Sequence, residues 1–237
     1  HSTSRRQRQM CIRDRKGTEK MSVNYHAFQS RGVVFAEQEA VSWQWREKFI
    51  GYDPSRIAKI LGLAFDERYL YLTYFQTPYR LTLATGCLEK QEDEKWTDHL
   101  FFNETMAIYH ILWYTKDHPL LSNVWVPGHA LDGVVSRNGN LPDPLLAPFA
   151  KKFDGKGKEL QDICEKLGGM KLDKGDLSYE FEAFHPVRLR MIFWDSDEDF
   201  PAQVQVLVDQ RVTDYIHFET VGCLISDLFE KIEKMSE

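Results

Sequence analysis

Four carboxylates lie close together between two aromatic residues, Trp194 and Phe200: Asp195, Asp197, Glu198 and Asp199. Carboxylate oxygens are the ligands that Ca²⁺ and Mg²⁺ prefer, so the cluster predicts a metal site at which an enzyme could activate water. The EF-hand template does not fit, because Phe200 occupies the sixth position, where Gly is needed, and Val206 the twelfth, where Glu is needed. A solvated acidic turn is the alternative interpretation.

The same segment also supports a second hypothesis, the binding of an organic ligand. Trp194 and Phe200 could line a pocket in which Asp197 and Glu198 hold an amine or a hydroxyl group. Trp125 is a further candidate ligand-binding residue, because it belongs to a turn-rich stretch, residues 123–148. Long ordered loops often carry function.

Two arginines, Arg80 and Arg188, occupy equivalent places in two predicted hairpins. Paired arginines can clamp a carboxylate or a phosphate, although alternation along a half-exposed strand also explains them. His185, beside Pro186 at a predicted turn, is another candidate for a cleft. The sequence has no HExxH motif, so a zinc site would need ligands from distant segments.

Three common catalytic motifs are absent from the sequence. Residues 155–159 lack the spacing of a P-loop, no GxGxxG follows a predicted strand, and no GxSxG is present. The sequence therefore disfavours nucleotide hydrolysis, Rossmann redox chemistry and α/β-hydrolase catalysis.

The composition excludes further classes of protein. With 43% hydrophobic and 13% aromatic residues, the 237-residue chain can bury a core and is not disordered. The net charge of −6 argues against a general nucleic-acid surface, which needs an excess of Lys and Arg. The longest apolar runs are far shorter than the roughly 20 residues that span a membrane.

The first 20 residues differ from the rest of the chain. They contain seven basic and two acidic residues, and residues 5–15 look like a translated sequencing adapter, so we predict an artefactual or disordered extension that ends before Met21. A basic RNA-binding tail or a transit peptide is the alternative. Cys87, Cys164 and Cys223 are isolated in the sequence, which favours reduced thiols and a cytoplasmic location.

Apolar periodicity predicts an α+β fold with an N-terminal helix and antiparallel sheet. Helices are expected at residues 25–49, 54–61, 103–117, 145–153 and 158–167, and from about Glu219 onward. Strands are expected at residues 69–75, 79–85, 178–184, 187–194 and 202–208. Residues 88–98 are charged and are expected to be solvated.

An internal repeat is predicted within a single domain, residues 21–237. Leu61-Gly62 matches Leu167-Gly168, and the residues around Arg80 match those around Arg188. We therefore expect two related helix–hairpin–helix halves, at about 53–117 and 158–235, joined by a loop over residues 118–157. Two unrelated units with similar turns are the alternative. Ligand clefts prefer such junctions.

The C-terminal half resembles a known family. The segments that carry the resemblance are Gly175–Leu177, Phe184–Val187, Phe193-Trp194, Asp197–Ala202, Leu207–Asp209 and Tyr215-Ile216 with Glu219. They are similar to the signature of the family called domain of unknown function 3786. Residues 108–112, 123–126 and 145–149 are also similar to it. The chain departs from the signature at Asp199, where the family has Glu, and at Val208, where it has Phe.

The resemblance implies a bacterial or archaeal protein, mainly of anaerobes, sometimes encoded near corrinoid and iron–sulfur metabolism. It implies no particular activity and names no cofactor. Three hypotheses follow from the residues and the resemblance together. The leading one is a cytoplasmic protein that binds a small molecule or cofactor between its two halves through Trp194, Asp197, Glu198, His185 and Arg188, with Arg80 and Trp125 as further candidates. The others are a metal-dependent enzyme that uses the acidic cluster, and an interaction module that forms a homodimer or docks on a partner enzyme.

Overall fold

The computed structural model describes residues 35–131 and 144–236. Within them the helices are α1 (Phe35–Lys48), α2 (Ser55–Leu61), α3 (Phe102–Tyr114), α4 (Leu146–Phe153), α5 (Gly157–Lys166) and α6 (Thr220–Lys234). The predicted extension at residues 1–20 and the predicted start of the first helix at Tyr25 lie outside the described residues.

The strands form two antiparallel sheets. They are β1 (Tyr69–Tyr74), β2 (Thr77–Thr82), β3 (Leu88–Glu92), β4 (Lys95–Thr97), β5 (Trp125–Pro127), β6 (Met170–Lys171), β7 (Leu177–Phe184), β8 (Val187–Trp194) and β9 (Gln203–Asp209). The first sheet has the order β1-β2-β3-β4, and the second has the order β5-β9-β8-β7-β6. These elements confirm the predicted α+β fold with antiparallel sheet.

The first sheet is larger than predicted, because the charged segment at residues 88–98 forms the β3–β4 hairpin instead of a solvated stretch. Asp93 and Glu94 make its turn with positive φ angles, a conformation that Asp tolerates in tight turns better than most residues. Leu88 and Lys90 face the core from β3. The apolar pattern of the sequence does not predict this strand, because one of its two buried positions carries a lysine.

One continuous apolar core joins the two sheets. The inner face of the first sheet reaches α3 and α6, since the Tyr79 hydroxyl donates to Glu104 of α3 and the Tyr74 hydroxyl donates to Asp227 of α6. The second sheet packs on α4 and α5. Phe149 of α4 and Phe229 of α6 stack with their ring centroids 3.8 Å apart, which connects the two layers of helices.

The sheets touch at the tips of their hairpins. The Phe75 N–H donates to the Ala183 carbonyl over 2.9 Å, and the Gln76 side chain donates to the Leu167 carbonyl over 2.8 Å. The Tyr74 ring stacks on Phe184. These contacts fix the second sheet relative to the first.

Both predicted halves contain a helix, a run of antiparallel strands and a closing helix. Gly62 and Gly168, which end α2 and follow α5, both adopt left-handed backbone conformations. Common element order is compatible with a duplication, which remains a prediction. The joining segment is more than a loop, because it contains β5 and α4 and adds an edge strand to the second sheet.

Among residues 35–131 and 144–236, no helix is both long and apolar enough to cross a lipid bilayer.

Asp227 is a buried acid within the core. Its carboxylate accepts the Tyr74 hydroxyl over 2.7 Å. Burial raises the pKa of Asp227 to about 7, with a further contribution from Glu104 and Glu230, although the hydrogen bond from Tyr74 and the charge of Lys231 lower it. A desolvated carboxylate is costly, so the folded protein favours the neutral acid.

We expect the contribution of Asp227 to stability to fall as the pH rises from about 4 to 7, because native Asp227 keeps its proton up to about pH 7 whereas the unfolded chain releases it near pH 4. Buried His110, whose pKa burial lowers to about 3, contributes in the opposite sense up to about pH 6.5. The effect of Asp227 is therefore measured as the difference between a variant and the wild type. Asp227→Asn keeps an acceptor for Tyr74 and removes the charge. It should be more stable than the wild type above pH 7, by on the order of 4 kcal/mol, and the difference should shrink towards pH 4. Urea unfolding at both ends of this range measures it.

The exposed residue Glu67 offers the control, since Glu67→Gln should change stability little at either pH. An Asp227→Asn variant with the same pH dependence as the wild type would contradict the raised pKa.

Candidate functional site

A cavity of about 450 Å³ lies between α2 and the outer face of the second sheet. Ile60 and Leu61 of α2 form one wall. Leu121 and Asn123, which precede β5, form another. The cavity therefore brings together residues from the first predicted half, the joining segment and the second predicted half.

The pairing register of the strands puts the polar residues that form the floor of the cavity on one face of the second sheet. Glu180 of β7 pairs with Arg190 of β8, and Trp125 of β5 pairs with Asp209 of β9. Directly opposed residues of an antiparallel pair point to the same face. Arg188 is two residues from Arg190 and therefore shares that face. The inner positions between them, such as Leu189, are buried in the core.

Two arginines share one buried carboxylate on this floor. Glu180, whose side chain is 5% exposed, accepts Arg188 Nη1 at 3.2 Å and Arg190 Nε at 2.8 Å. Arg188 Nη2 also reaches Glu182 at 3.4 Å, at the edge of the cavity. Because both carboxylate oxygens of Glu180 are occupied, its charge is compensated and it holds both guanidinium groups in place.

Arg190 also stacks on the ring of Trp125. The guanidinium carbon lies 3.7 Å from the centroid of the Trp125 ring, which is a close cation–π contact. Stacking occupies a face of the guanidinium and leaves its N–H edges accessible. Arg190 is thus oriented both by a carboxylate and by an aromatic ring.

Asp209 shapes the mouth of the cavity. Burial alone would raise the pKa of Asp209, but hydrogen bonds from the backbone N–H groups of Ser122, Arg211 and Asn123 and from the Ser122 hydroxyl hold it below its usual value. The ionised carboxylate thereby fixes the segment that precedes Trp125. All of these donors come from the protein, so Asp209 serves the local structure.

The N–H groups of the two arginines that have no partner in the described part of the chain are the charged donors left over in the cavity, and Asn123 and Tyr215 add uncharged groups that can donate or accept. Among the described residues, no acceptor contacts Arg190 Nη1 or Nη2, Arg188 Nε, or the Tyr215 hydroxyl. The carboxylates of Glu180 and Asp209 are already engaged. The site is therefore suited to a ligand that presents acceptor oxygens, such as a carboxylate or a phosphate.

The structure brings together three of the residues that the sequence predicts for a ligand site. Trp125, His185 and Arg188 all line the cavity. His185 stands at the rim, with a side chain that is 82% exposed and 3.8 Å from Glu182.

The other predicted ligand residues lie elsewhere. Trp194, Asp197 and Glu198 do not line this cavity. Arg80 belongs to the first sheet, where Glu89 binds it at 2.8 and 3.1 Å. The Tyr69 and Trp96 rings lie 4.2 and 4.3 Å from its guanidinium carbon. Arg80 and Arg188 therefore do not form a joint clamp.

The acidic cluster organises a turn. Asp197 accepts the N–H groups of Asp199 and Phe200, and Asp195 accepts the Gly155 N–H, which joins the turn to the end of α4. The described residues contain no group of three or more His, Cys, Asp or Glu side chains arranged to hold a metal ion. This arrangement supports the interpretation of the cluster, Asp195, Asp197, Glu198 and Asp199, as an acidic turn.

Sequence reasoning missed Glu180, Arg190, Asp209 and Tyr215. The sequence does contain a signal for Glu180 and Arg190. Arg190 alternates with apolar residues along β8, as Arg188 does, and Glu180 alternates in the same way with Glu182 along β7. This pattern is typical of an exposed ladder of ion pairs, so it does not by itself indicate a cavity.

We expect Glu180→Gln to destabilise the protein by about 2 kcal/mol, because two guanidinium groups lose a charged hydrogen-bond acceptor. Chemical denaturation followed by circular dichroism measures the change. Glu182→Gln is the matched control on the same strand, where the half-exposed ion pair with Arg188 should contribute less than about 1 kcal/mol. Equal effects of the two substitutions would show that Glu180 does not organise the floor.

Comparison with known proteins shows to which family the chain belongs. The family model described as domain of unknown function (DUF3786) matches residues 53–230, which is more than half of the 237-residue chain. No curated protein and no solved structure matches the chain. The matched range includes α2, the joining segment and both sheets, and so contains every residue of the cavity described above. The chain belongs to the DUF3786 family.

Proposed function

We propose that the protein binds a small organic anion, with a carboxylate or phosphate group, in the cavity between α2 and the outer face of the second sheet. The observation that carries this proposal is the state of Arg190. Its Nε is fixed by Glu180 and its face by Trp125, while its terminal nitrogens have no acceptor among the described residues. A guanidinium held in this way has already lost most of its rotamer freedom, so a ligand need not order it.

The donors of the cavity that lack partners among the described residues favour an anion over a cation. The formal charges of its floor balance, with Arg188 and Arg190 against Glu180 and Asp209, so the preference depends on which of these groups already have partners. Each oxygen of Glu180 accepts a bond from an arginine, and those of Asp209 accept bonds from backbone and side-chain donors near it, so a cation would have to share these oxygens. An anion, in contrast, can take up donors of Arg190 and Arg188 that lack acceptors without breaking any of these bonds.

The position of the cavity supports a role for both predicted halves. Ile60 and Leu61 come from the first, and Arg188 and Arg190 come from the second. Ligand sites are common at such junctions. The arginines favour binding over acid–base catalysis, because guanidinium groups stay protonated in proteins and do not exchange protons with a substrate near neutral pH.

Isothermal titration calorimetry with acetate, citrate and inorganic phosphate tests the proposal. At least one of these anions should bind the wild-type protein, and Arg190→Met should weaken that binding about tenfold or more, since charged hydrogen bonds of about 1.5–3 kcal/mol are lost. Circular dichroism checks that the variant is folded.

Arg80→Met is the matched control. Arg80 also forms an ion pair on a sheet and stacks on aromatic rings, but it lies on the first sheet outside the cavity. It should leave anion binding unchanged. Equal loss of binding in both variants, or no binding of any of the anions to the wild type, would contradict the proposal.

A further inference from the structure

A second cavity adjoins the first on the same face of the sheet. It has a volume of about 330 Å³ and shares two wall residues with the first, Trp125 and Arg190. Arg188, Arg190 and Ile192 alternate along β8, so the floor passes from the first cavity into the second over about 7 Å per pair of residues. The stacked Trp125 and Arg190 line both cavities where they adjoin.

The two cavities differ in the strand residues that form their floors, which are mostly charged in the first and mostly apolar in the second. Leu172, Ile192 and Leu207 line the second cavity together with the Trp125 ring, and its remaining lining residues are Asp173, Lys174 and Arg190. Ile192 and Leu207 are buried although they belong to the outer face of the sheet. The first cavity also has apolar walls, formed by Ile60, Leu61 and Leu121. Its floor, however, carries Glu180, Asp209 and Arg188, whose charges would be costly to desolvate beneath an apolar group.

We propose that the anion bound at Arg190 is an amphipathic acid, whose acid group lies on Arg190 in the first cavity and whose apolar body lies in the second. This inference rests on the proposed function, since it extends the same site. Arg190 lines both cavities and its terminal nitrogens have no acceptor among the described residues, so an acid group bound there can direct its body across the Trp125 ring. The ligand class is a short-chain or aromatic carboxylic acid, or a phosphate ester of similar shape.

The second cavity is lined by a second cation besides Arg190, the exposed Lys174, and by one carboxylate, Asp173. A ligand with acid groups at both ends could use Lys174 and Arg190 together. The apolar floor and the negative charge of Asp173 favour a ligand with one acid group, and the two classes are separated by direct comparison of hexanoate with adipate.

A homologous series of straight-chain carboxylates tests the inference by calorimetry: acetate, butyrate, hexanoate and octanoate. Affinity should rise about threefold with each methylene that is buried, until the second cavity is full. Hexanoate should bind more tightly than adipate. An equal affinity for all chain lengths, or tighter binding of adipate, would overturn this inference and leave the proposed anion site intact. If none of these acids binds but citrate or inorganic phosphate does, the inference fails and the anion site stands. If neither these acids nor citrate and phosphate bind, the proposed function itself fails.

The variant Leu172→Gln tests whether the apolar part of the ligand lies in the second cavity. Leu172 is only partly buried, in the segment between β6 and β7, so the substitution should preserve the fold. It should weaken hexanoate binding about threefold or more and leave acetate binding unchanged. Met170→Gln is the matched control, because Met170 is exposed, lies two residues away and lines neither cavity. A loss of hexanoate affinity in the control, or none in Leu172→Gln, would place the body outside the second cavity.

Discussion

Two antiparallel sheets each bury one face in a common core, and this requirement determines which side chains remain on the outer faces. Successive side chains of a strand point to opposite faces of the sheet. Each Leu, Met or Phe of β8 that points into the core is therefore followed by a side chain on the outer face. Leu189 and Met191 enter the core, and Arg188 and Arg190 are therefore left together on the outer face. The ligand site proposed for this protein is a consequence of that packing.

The burial of carboxylates then determines which donors they pair with. Glu180 lies on the outer face, yet it is covered by the arginines beside it, and a covered carboxylate must find donors. It finds them in Arg188 and Arg190. The same rule operates in the core, where Tyr79 and Lys90 satisfy Glu104 and Tyr74 satisfies Asp227. The difference is that the arginines of the outer face retain donors for a ligand, whereas the core pairs are closed.

Local hydrogen bonding decides the role of the acidic turn. Backbone N–H groups in a turn need acceptors, and short acidic side chains are the nearest ones in the sequence. Asp197 serves the turn itself and Asp195 serves the end of α4. A dense acidic cluster in a sequence is thus explained by turn formation, and the acceptor oxygens that these bonds occupy are less available to a ligand.

Much of the fold is determined by the sequence alone. Apolar patterns locate α2, α3, α6 and the β7–β8 hairpin, because each carries an apolar face or a longer apolar run and ends at a recognisable turn. The signature shared with the family is also visible in the residues themselves. Lys90 marks the limit of this reasoning, since a buried lysine on an inward position made β3 look solvated.

The site depends on tertiary structure. Arg188 and His185 were recognisable candidates, but their neighbours come from α2, from the segment before β5, and from β7 and β9. Trp125 reaches Arg190 only because β5 pairs with β9 at the edge of the sheet. No local pattern specifies that pairing. Contacts between residues far apart in the chain arise from the packing of whole elements, and packing alone placed an aromatic ring, a shared carboxylate and two guanidinium groups around one cavity.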